Sequence, residues 1–188
     1  MFIYLHGFNS SPQSFKARAL AQRLAERGRA HDLVAPTLSH WPREATATAE
    51  AEIGWHDART VTLIGSSLGG HYAIWLAERH ALRAVLVNPA MHPADLLAAA
   101  LGPQRNLYSG AQYELTPAHL DQLRALDVEA ITRPERYLLV VATADEVLDS
   151  RVAMARFSGA RHIVHAGGDH GFAEFSRYLD AVIDFGLE

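Results

Sequence analysis

The sequence predicts a mostly parallel β-sheet with helices on both faces, and three observations lead to this fold class. Short apolar runs, several of them β-branched, recur along the 188 residues, and runs with helical spacing separate them. Several apolar runs end at Gly, Pro or Asn-Pro, which stop strands and begin loops. Strands that alternate with helices pair in parallel and bury both faces of their sheet.

Six strands and four main helices follow from these patterns in chain order. The predicted strands are Phe2–Leu5, 31–35, 60–64, Arg83–Val87, 136–142 and Arg161–His165. The first helix is expected to begin at Ser11-Pro12, with Ser as N-cap and Pro at the first helical position, and to end near Gly28. The others are expected near 44–58, from residue 69 to about 80, and along the apolar positions Phe172, Phe175, Leu179, Val182 and Ile183.

Residues 91–133 interrupt this alternation. Two helical pieces, 93–101 and 117–126, flank a loop that contains Gly, Pro and Asn. We expect this segment to form a small cap over a site on the sheet. No repeat or interdomain linker is present, so residues 1–188 are expected to form one domain.

Composition narrows the functional classes. The net charge is −4 and no basic stretch stands out, so nucleic-acid binding has no electrostatic support. The absence of cysteine excludes disulfides, thiol nucleophiles and thiolate metal sites. Neither a signal peptide nor an apolar run of about 18 residues is recognisable, so a soluble cytoplasmic protein without a membrane span is expected.

The motif with the clearest chemical meaning lies at residues 65–69, which read Gly-Ser-Ser-Leu-Gly and fit G-x-S-x-G. The motif follows a predicted strand and opens a predicted helix. A serine on such a sharp turn presents its hydroxyl at the carboxyl edge of the sheet, and the glycines avoid collisions at the turn. Ser67 is therefore the candidate nucleophile, whereas Ser66 is expected to point away.

Polar residues that follow later strands supply the partners that Ser67 would need. Asp145 comes soon after the fifth strand and His170 after the sixth, which gives the order Ser, Asp, His along the chain. Imidazole can take the serine proton, and a carboxylate can orient the imidazole and stabilise its charge. Asp149 is the alternative acid, although it is also placed to cap a helix.

The tetrahedral intermediate of acyl transfer also requires two preorganised donors. The backbone N–H of Leu68 is one candidate for this oxyanion hole, and the other is expected in the loop after the first strand, at Phe8 or alternatively at Asn9. The side chains that could line a substrate pocket are Asn9, Trp41, Tyr108 and Tyr113. No histidine pair has the i, i+4 spacing of a zinc helix, so neither a metal nor a cofactor is expected.

With these residues in place, the chain resembles the YqiA-like esterases, a family of small α/β-hydrolases. The stretches that carry the resemblance are 4–12, 16–17, 65–70, 87–90, 145–149 and 167–172. The resemblance implies an α/β-hydrolase fold and the triad Ser67, Asp145 and His170. The chain departs from the family pattern at Ala144, where the family has Gly, and at Asp169, where the family has Asn.

The expected function is that of a serine carboxylesterase. Its small-molecule substrates would be carboxylic esters of short to medium acyl chains, cleaved through an acyl-enzyme. An acyl-CoA thioesterase is the alternative with the same chemistry, because the resemblance implies thioesters as substrates too. A non-catalytic binding protein on a hydrolase scaffold is the alternative from another class.

Overall fold

A six-stranded parallel sheet organises the chain, and the computed structural model describes all 188 residues. The strands of this sheet are β1 (Phe2–Leu5), β2 (Leu33–Val34), β3 (Thr62–Ser66), β4 (Arg83–Val87), β7 (Tyr137–Ala142) and β8 (Arg161–His165), in the spatial order β2-β1-β3-β4-β7-β8. Every neighbouring pair is parallel. The predicted fold class is therefore confirmed.

Seven α-helices surround the sheet. They are α1 (Phe15–Glu26), α2 (Pro42–Gly54), α3 (Leu68–His80), α4 (Pro93–Ala98), α5 (Pro117–Arg124), α6 (Ser150–Arg156) and α7 (Leu179–Leu187). None of them combines the length and the apolar character that crossing a bilayer would require.

The strands bury both faces because successive side chains point to opposite sides of a sheet. In β1, Phe2 and Tyr4 belong to one core with α1 and α7, whereas Ile3 and Leu5 belong to a second core with α2, α3 and α5. All four residues are at most 1% exposed. Such two-sided burial explains why these strands read as continuous apolar runs rather than as alternating ones.

Several predicted boundaries differ from the observed ones. Helix α1 begins at Phe15 rather than at Pro12, because a turn intervenes in which Ser14 N–H donates to the Ser11 carbonyl at 3.1 Å. Strand β3 begins at Thr62, after a 3-10 turn at Ala58–Thr60. The last helical segment is two elements, a 3-10 helix at Ala173–Tyr178 and then α7.

The interrupting segment contains one element that the sequence interpretation missed. Helices α4 and α5 occur as expected, but the loop between them is an antiparallel hairpin of β5 (Gly102–Arg105) and β6 (Gln112–Leu115). Most of its side chains are not buried. It therefore lacks the alternating apolar pattern that identifies a strand in a sequence.

The strand order also determines where a site can form. From β1 the chain moves to β2 on one side, and β3 then lies on the other side of β1. The loops that follow β1 and β3 consequently diverge at the carboxyl edge of the sheet. A crevice between such loops is where open parallel sheets bind ligands.

Candidate active site

Ser67 occupies a strained turn between β3 and α3. Its φ of 54° and ψ of −120° lie outside the regions that non-glycine residues usually adopt. Its backbone is nevertheless held on both sides, because Ser67 N–H donates to the Val87 carbonyl and the Ser67 carbonyl accepts from Ala90 N–H, both at 3.0 Å. The turn exposes the hydroxyl at the edge of the sheet.

Glycines flank this turn because the backbone is crowded there. A Cβ on Gly69 would come within 2.0 Å of the Leu5 carbonyl oxygen, and a Cβ on Gly65 within 2.3 Å of the Gly69 carbonyl oxygen. Side chains at either position would force β1, β3 and α3 apart. The two motif glycines thus permit the close packing that brings Ser67 up to the loop after β1.

Three predicted residues form a chain of hydrogen bonds. His170 Nε2 lies 3.0 Å from Ser67 Oγ, and His170 Nδ1 lies 2.8 Å from Asp145 Oδ2. Because a carboxylate can only accept, Nδ1–H donates to Asp145, which leaves Nε2 free to accept from the Ser67 hydroxyl. The Asp145 side chain is 2% exposed, so solvent hardly competes for this contact.

The loop around Asp145 holds its carboxylate in place. Its Oδ1 accepts from Val147 N–H at 2.9 Å and from Leu148 N–H at 2.8 Å, so the second oxygen faces His170. The alternative acid, Asp149, instead caps α6 by accepting from Arg151 N–H and pairs with the Arg151 guanidinium. The structure thus brings Asp145, and not Asp149, to the imidazole.

Two backbone N–H groups near this turn have no hydrogen-bond partner within the protein. Leu68 is the first residue of α3, where an N–H has no partner within the helix. Phe8 lies in the loop after β1, and its N–H makes no hydrogen bond within the protein. Gly7, next to it, lies so close that a Cβ there would be 3.2 Å from Ser67 Cβ.

A buried imidazole fixes the loop that carries Phe8. Leu38 N–H donates to His6 Nε2 at 3.1 Å, so Nδ1 carries the proton and donates to the Gly7 carbonyl at 3.0 Å. Burial lowers the pKa of His6 below its usual value, which favours this neutral tautomer. The loop conformation therefore depends on an uncharged His6.

Ser67 and His170 open into a cavity of about 450 Å³. The apolar residues that line it are Phe8, Leu68, Ala90, Pro93, Leu96, Leu97, Leu107, Val147 and Leu148. Its polar lining includes Tyr4, Ser14, Lys16 and Ser66. Lys16 was not among the predicted site residues, because a residue near the start of a helix carries no signal that its side chain reaches a cavity.

The four residues predicted to line a substrate pocket lie in different places. Tyr108 lines the cavity beside Ser67. Asn9 and Tyr113 instead line a smaller pocket that shares Phe8 and Leu68 with this cavity. There the Asn9 amide donates to Gln104 Oε1 and its oxygen accepts from the Tyr113 hydroxyl. Trp41 also lies outside, with its ring centroid 3.6 Å from that of His119. Of the four, Tyr108 therefore borders the cavity beside Ser67, and a role of these residues in substrate binding stays a prediction.

Two further residues near the motif have structural partners. Ser66 lies near the Tyr4 hydroxyl in the cavity wall, so it does not point fully away as predicted, but the ring of His170 bonds to Ser67 and Asp145 and not to Ser66. Asp169 accepts from Phe172 N–H at 2.7 Å and so stabilises the loop before α7. No group of three or more His, Asp or Glu side chains is arranged to hold a metal ion.

Solved structures similar to this one share its fold. A provisionally assigned hydrolase from Agrobacterium vitis S4 superposes with a TM-score of 0.77 at 19% identity, over 100% of this chain and 87% of that one. The α/β hydrolase domain-containing protein 10 from mouse gives 0.72 at 15% identity, over 97% and 89%. A monoacylglycerol lipase from Paleococcus ferrophilus gives 0.70 at 16% identity, over 99% and 93%. The fold is that of the α/β-hydrolases.

A curated protein matches part of the chain. This is an L-aspartate oxidase from Streptomyces coelicolor (strain ATCC BAA-471 / A3(2) / M145), 32% identical over 139 residues. The match takes in 67% of this chain but only 24% of the length of that protein. Because the match covers only a quarter of the oxidase, it does not assign the activity of the oxidase to this chain.

A family model covers almost the complete chain. It is described as "Uncharacterised protein family (UPF0227)" and matches residues 1–187. The same family is also known as the YqiA family, so the resemblance inferred from the sequence motifs is confirmed. With this match along its length and an α/β-hydrolase fold, the chain belongs to UPF0227.

Proposed function

We propose that this protein is a serine hydrolase that cleaves carboxylic esters of short to medium acyl chains through an acyl-enzyme. One observation carries the proposal, namely the hydrogen-bonded chain from Ser67 Oγ through His170 to Asp145, next to two unpartnered N–H groups. A nucleophile, a base, an orienting acid and an oxyanion hole are the four parts that acyl transfer to serine requires.

In the acylation step, Ser67 Oγ attacks the ester carbonyl carbon while His170 Nε2 takes the hydroxyl proton. The negative charge that develops on the carbonyl oxygen is stabilised by the N–H groups of Phe8 and Leu68. The bond to the leaving alcohol oxygen then breaks, and His170 returns its proton to that oxygen. An acyl ester on Ser67 and a free alcohol result.

Deacylation repeats these steps with water as the nucleophile. His170 Nε2 takes a proton from water, the hydroxide oxygen attacks the acyl carbonyl, and the same two N–H groups bind the oxyanion. The bond to Ser67 Oγ breaks and His170 protonates that oxygen. The carboxylic acid leaves, and the enzyme is regenerated.

The segment 91–133 would act as the cap over this reaction. Leu96 and Leu97 from α4 and Leu107 from the hairpin contribute apolar surface to the cavity. A cavity of about 450 Å³ falls in the range of small-molecule sites. Its apolar lining suits an acyl chain of short to medium length.

Labelling with a fluorophosphonate probe tests the nucleophile. The wild type should be labelled on Ser67, and Ser67→Ala should abolish labelling and lower the turnover of 4-nitrophenyl esters by a factor on the order of 10⁴ or more. Ser66→Ala should still be labelled. A phosphonate found on Ser66 by mass spectrometry would contradict the assignment, and the absence of label from the wild type would favour a binding protein.

Two further assays define the reaction. Rates on 4-nitrophenyl esters and on acyl-CoA thioesters, measured in parallel across chain lengths, separate an esterase from a thioesterase. Dialysis against EDTA should leave activity intact, because the chain's own residues supply the base and the oxyanion donors. Activity that is lost and then restored by zinc or manganese would contradict the serine mechanism.

A further inference from the structure

Lys16 is the only lysine among the 17 lysine and arginine residues of the chain. It lies in the first turn of α1 and forms part of the cavity wall beside Ser67. Its ammonium group has no hydrogen bond to another residue and no carboxylate within ion-pair distance. Many of the arginines, in contrast, pair with carboxylates on the surface. Folding therefore leaves the one lysine with an unused charge in the cavity.

The cavity is lined mainly by apolar side chains, together with a few polar and basic ones. Most of its side chains are apolar, and no Asp or Glu residue lines it. Its ionisable lining consists of Lys16 and His170, together with the phenols of Tyr4 and Tyr108. The cavity thus offers apolar surface for the body of a ligand and one ammonium group for a negative charge.

The free protein holds this ammonium group at a cost. Burial lowers the pKa of Lys16, although the carboxylates of Asp169 and Asp145 act in the opposite direction. Both carboxylates are engaged elsewhere, since Asp145 binds His170 and Asp169 accepts from Phe172 N–H. A bound anion would supply the partner that the protein does not.

We propose that Lys16 determines substrate specificity by selecting esters that carry an anionic group, a carboxylate or a phosphate, in addition to the scissile bond. The inference rests on the proposed esterase function of Ser67. Charge-assisted hydrogen bonds in a partly desolvated site are stronger than those between neutral groups. A neutral ester of the same size would fill the cavity but leave the ammonium unpaired.

Matched pairs of esters test this selection on both sides of the scissile bond. On the acyl side, 4-nitrophenyl hydrogen glutarate is compared with 4-nitrophenyl pentanoate. On the leaving-group side, 4-carboxyphenyl butanoate is compared with its methyl ester. Lys16→Met should lower the ratio of kcat/KM for the anionic over the neutral ester by about tenfold or more in at least one pair. The pair that responds identifies the position of the anion.

Two variants serve as controls. Lys16→Arg keeps the charge and should restore part of the ratio, although its planar head has a different geometry. Arg18→Met removes a cation from the exposed side of the same helix and should leave the ratio unchanged. Equal losses on both esters of each pair with Lys16→Met would overturn the proposal.

The thermal stability of Lys16→Met distinguishes a role of Lys16 in substrate selection from a purely structural role. Because burial lowers the pKa of Lys16, the folded state disfavours its charge at neutral pH. Lys16→Met should therefore raise the Tm while it lowers the selectivity. A lower Tm together with an unchanged ratio would show that Lys16 only supports packing, and would overturn the proposal.

A binding measurement keeps this inference separate from the proposed function. In titration calorimetry, Ser67→Ala should bind 4-phenylbutanoate more tightly than 4-phenylbutanamide. Lys16→Met in the Ser67→Ala background should remove this difference in Kd. If Lys16 governs this binding but the wild type hydrolyses no ester, only the esterase proposal fails. If Ser67 is required for hydrolysis but Lys16 changes neither the ratio nor the binding, only this inference fails.

Discussion

At the scale of single residues, the position of His170 is fixed from three directions. Asp145 binds the ring at Nδ1, Glu146 Oε2 accepts from His170 N–H at 3.0 Å, and the Asn88 amide donates to the His170 carbonyl at 3.4 Å. Asn88 is buried, and its oxygen accepts from Ala142 N–H at 2.9 Å, which ties the His170 loop to the end of β7. Groups held in this way lose little entropy on reaching the reactive geometry.

The first prediction concerns the acid. Asp145→Asn keeps the size of the side chain but removes the charge that orients and stabilises the imidazolium, so kcat should fall by up to about 10⁴-fold. Asp149→Asn should change kcat little, because asparagine caps a helix as well as aspartate does. Steady-state kinetics on one neutral 4-nitrophenyl ester provide the measurement. A larger loss in Asp149→Asn would move the acid assignment to that residue.

The three residues of the hydrogen-bonded chain could be predicted because residue type and strand order restrict them strongly. Ser67, Asp145 and His170 each follow a strand, and each has the side chain that its proposed role requires. Asn9 and Tyr113 could not be judged in this way, because a sequence does not show that their polar groups bind each other. The position of Trp41 could not be predicted for a related reason, since an aromatic ring can pack on His119 as readily as it can line a pocket.

At the scale of elements, the β5–β6 hairpin supports the loop that carries Phe8. Leu107 N–H donates to the Asn9 carbonyl at 3.0 Å, and the Asn106 amide donates to the Ser10 carbonyl at 2.8 Å. Asn9 itself adopts a φ of 52°, a left-handed conformation that asparagine tolerates better than most residues. The hairpin thus holds one half of the proposed oxyanion hole as well as part of the cavity wall.

The second prediction removes one of these links. Tyr113→Phe deletes the hydroxyl that donates to Asn9 Oδ1 at 2.9 Å, and should lower the free energy of unfolding by about 0.5–1.5 kcal/mol. If the loop loosens, kcat should fall several-fold while KM changes little, because the oxyanion forms only in the transition state. Urea denaturation and steady-state kinetics measure the two effects.

Gln112→Ala is the matched control, because Gln112 is exposed on the same strand as Tyr113. Equal kinetics in Tyr113→Phe, Gln112→Ala and the wild type would contradict the supporting role of the hairpin. The hairpin itself could not be predicted from the sequence. Its short strands bury only Leu115, so tertiary contacts rather than apolar alternation specify them.

At the scale of the whole molecule, the order of strands explains most of what the sequence could predict. Apolar runs identify strands that are buried on both faces, and helical runs between them require parallel pairing. The carboxyl ends of β1, β3, β7 and β8 then lie on one edge, although the residues after them are far apart in the sequence. Exact boundaries depend on local turns such as Ser11–Ser14, which propensities describe poorly.

The same architecture buries histidines that must stay neutral. His6, His71 and His119 are each at most 5% exposed, and burial lowers the pKa of all three. In the unfolded chain a histidine has a pKa of about 6.5. Between that value and the lower pKa of the folded state, the unfolded chain therefore binds more protons than the native protein does, so acidification favours unfolding.

The third prediction follows from this direction of the pH dependence of stability. The free energy of unfolding should fall as the pH drops below about 6.5, with each buried histidine contributing up to about 1.4 kcal/mol per pH unit. Urea denaturation at pH 7.5, 6.5 and 5.5 measures the slope, which His6→Gln and His71→Gln should reduce. His31→Gln, on the exposed surface, should leave it unchanged. A free energy of unfolding that is the same at pH 7.5 and pH 5.5 would mean that these imidazoles do not resist protonation. The neutral tautomer assigned to His6, and with it the hydrogen bond to the Gly7 carbonyl that holds the Phe8 loop, would then have to be revised.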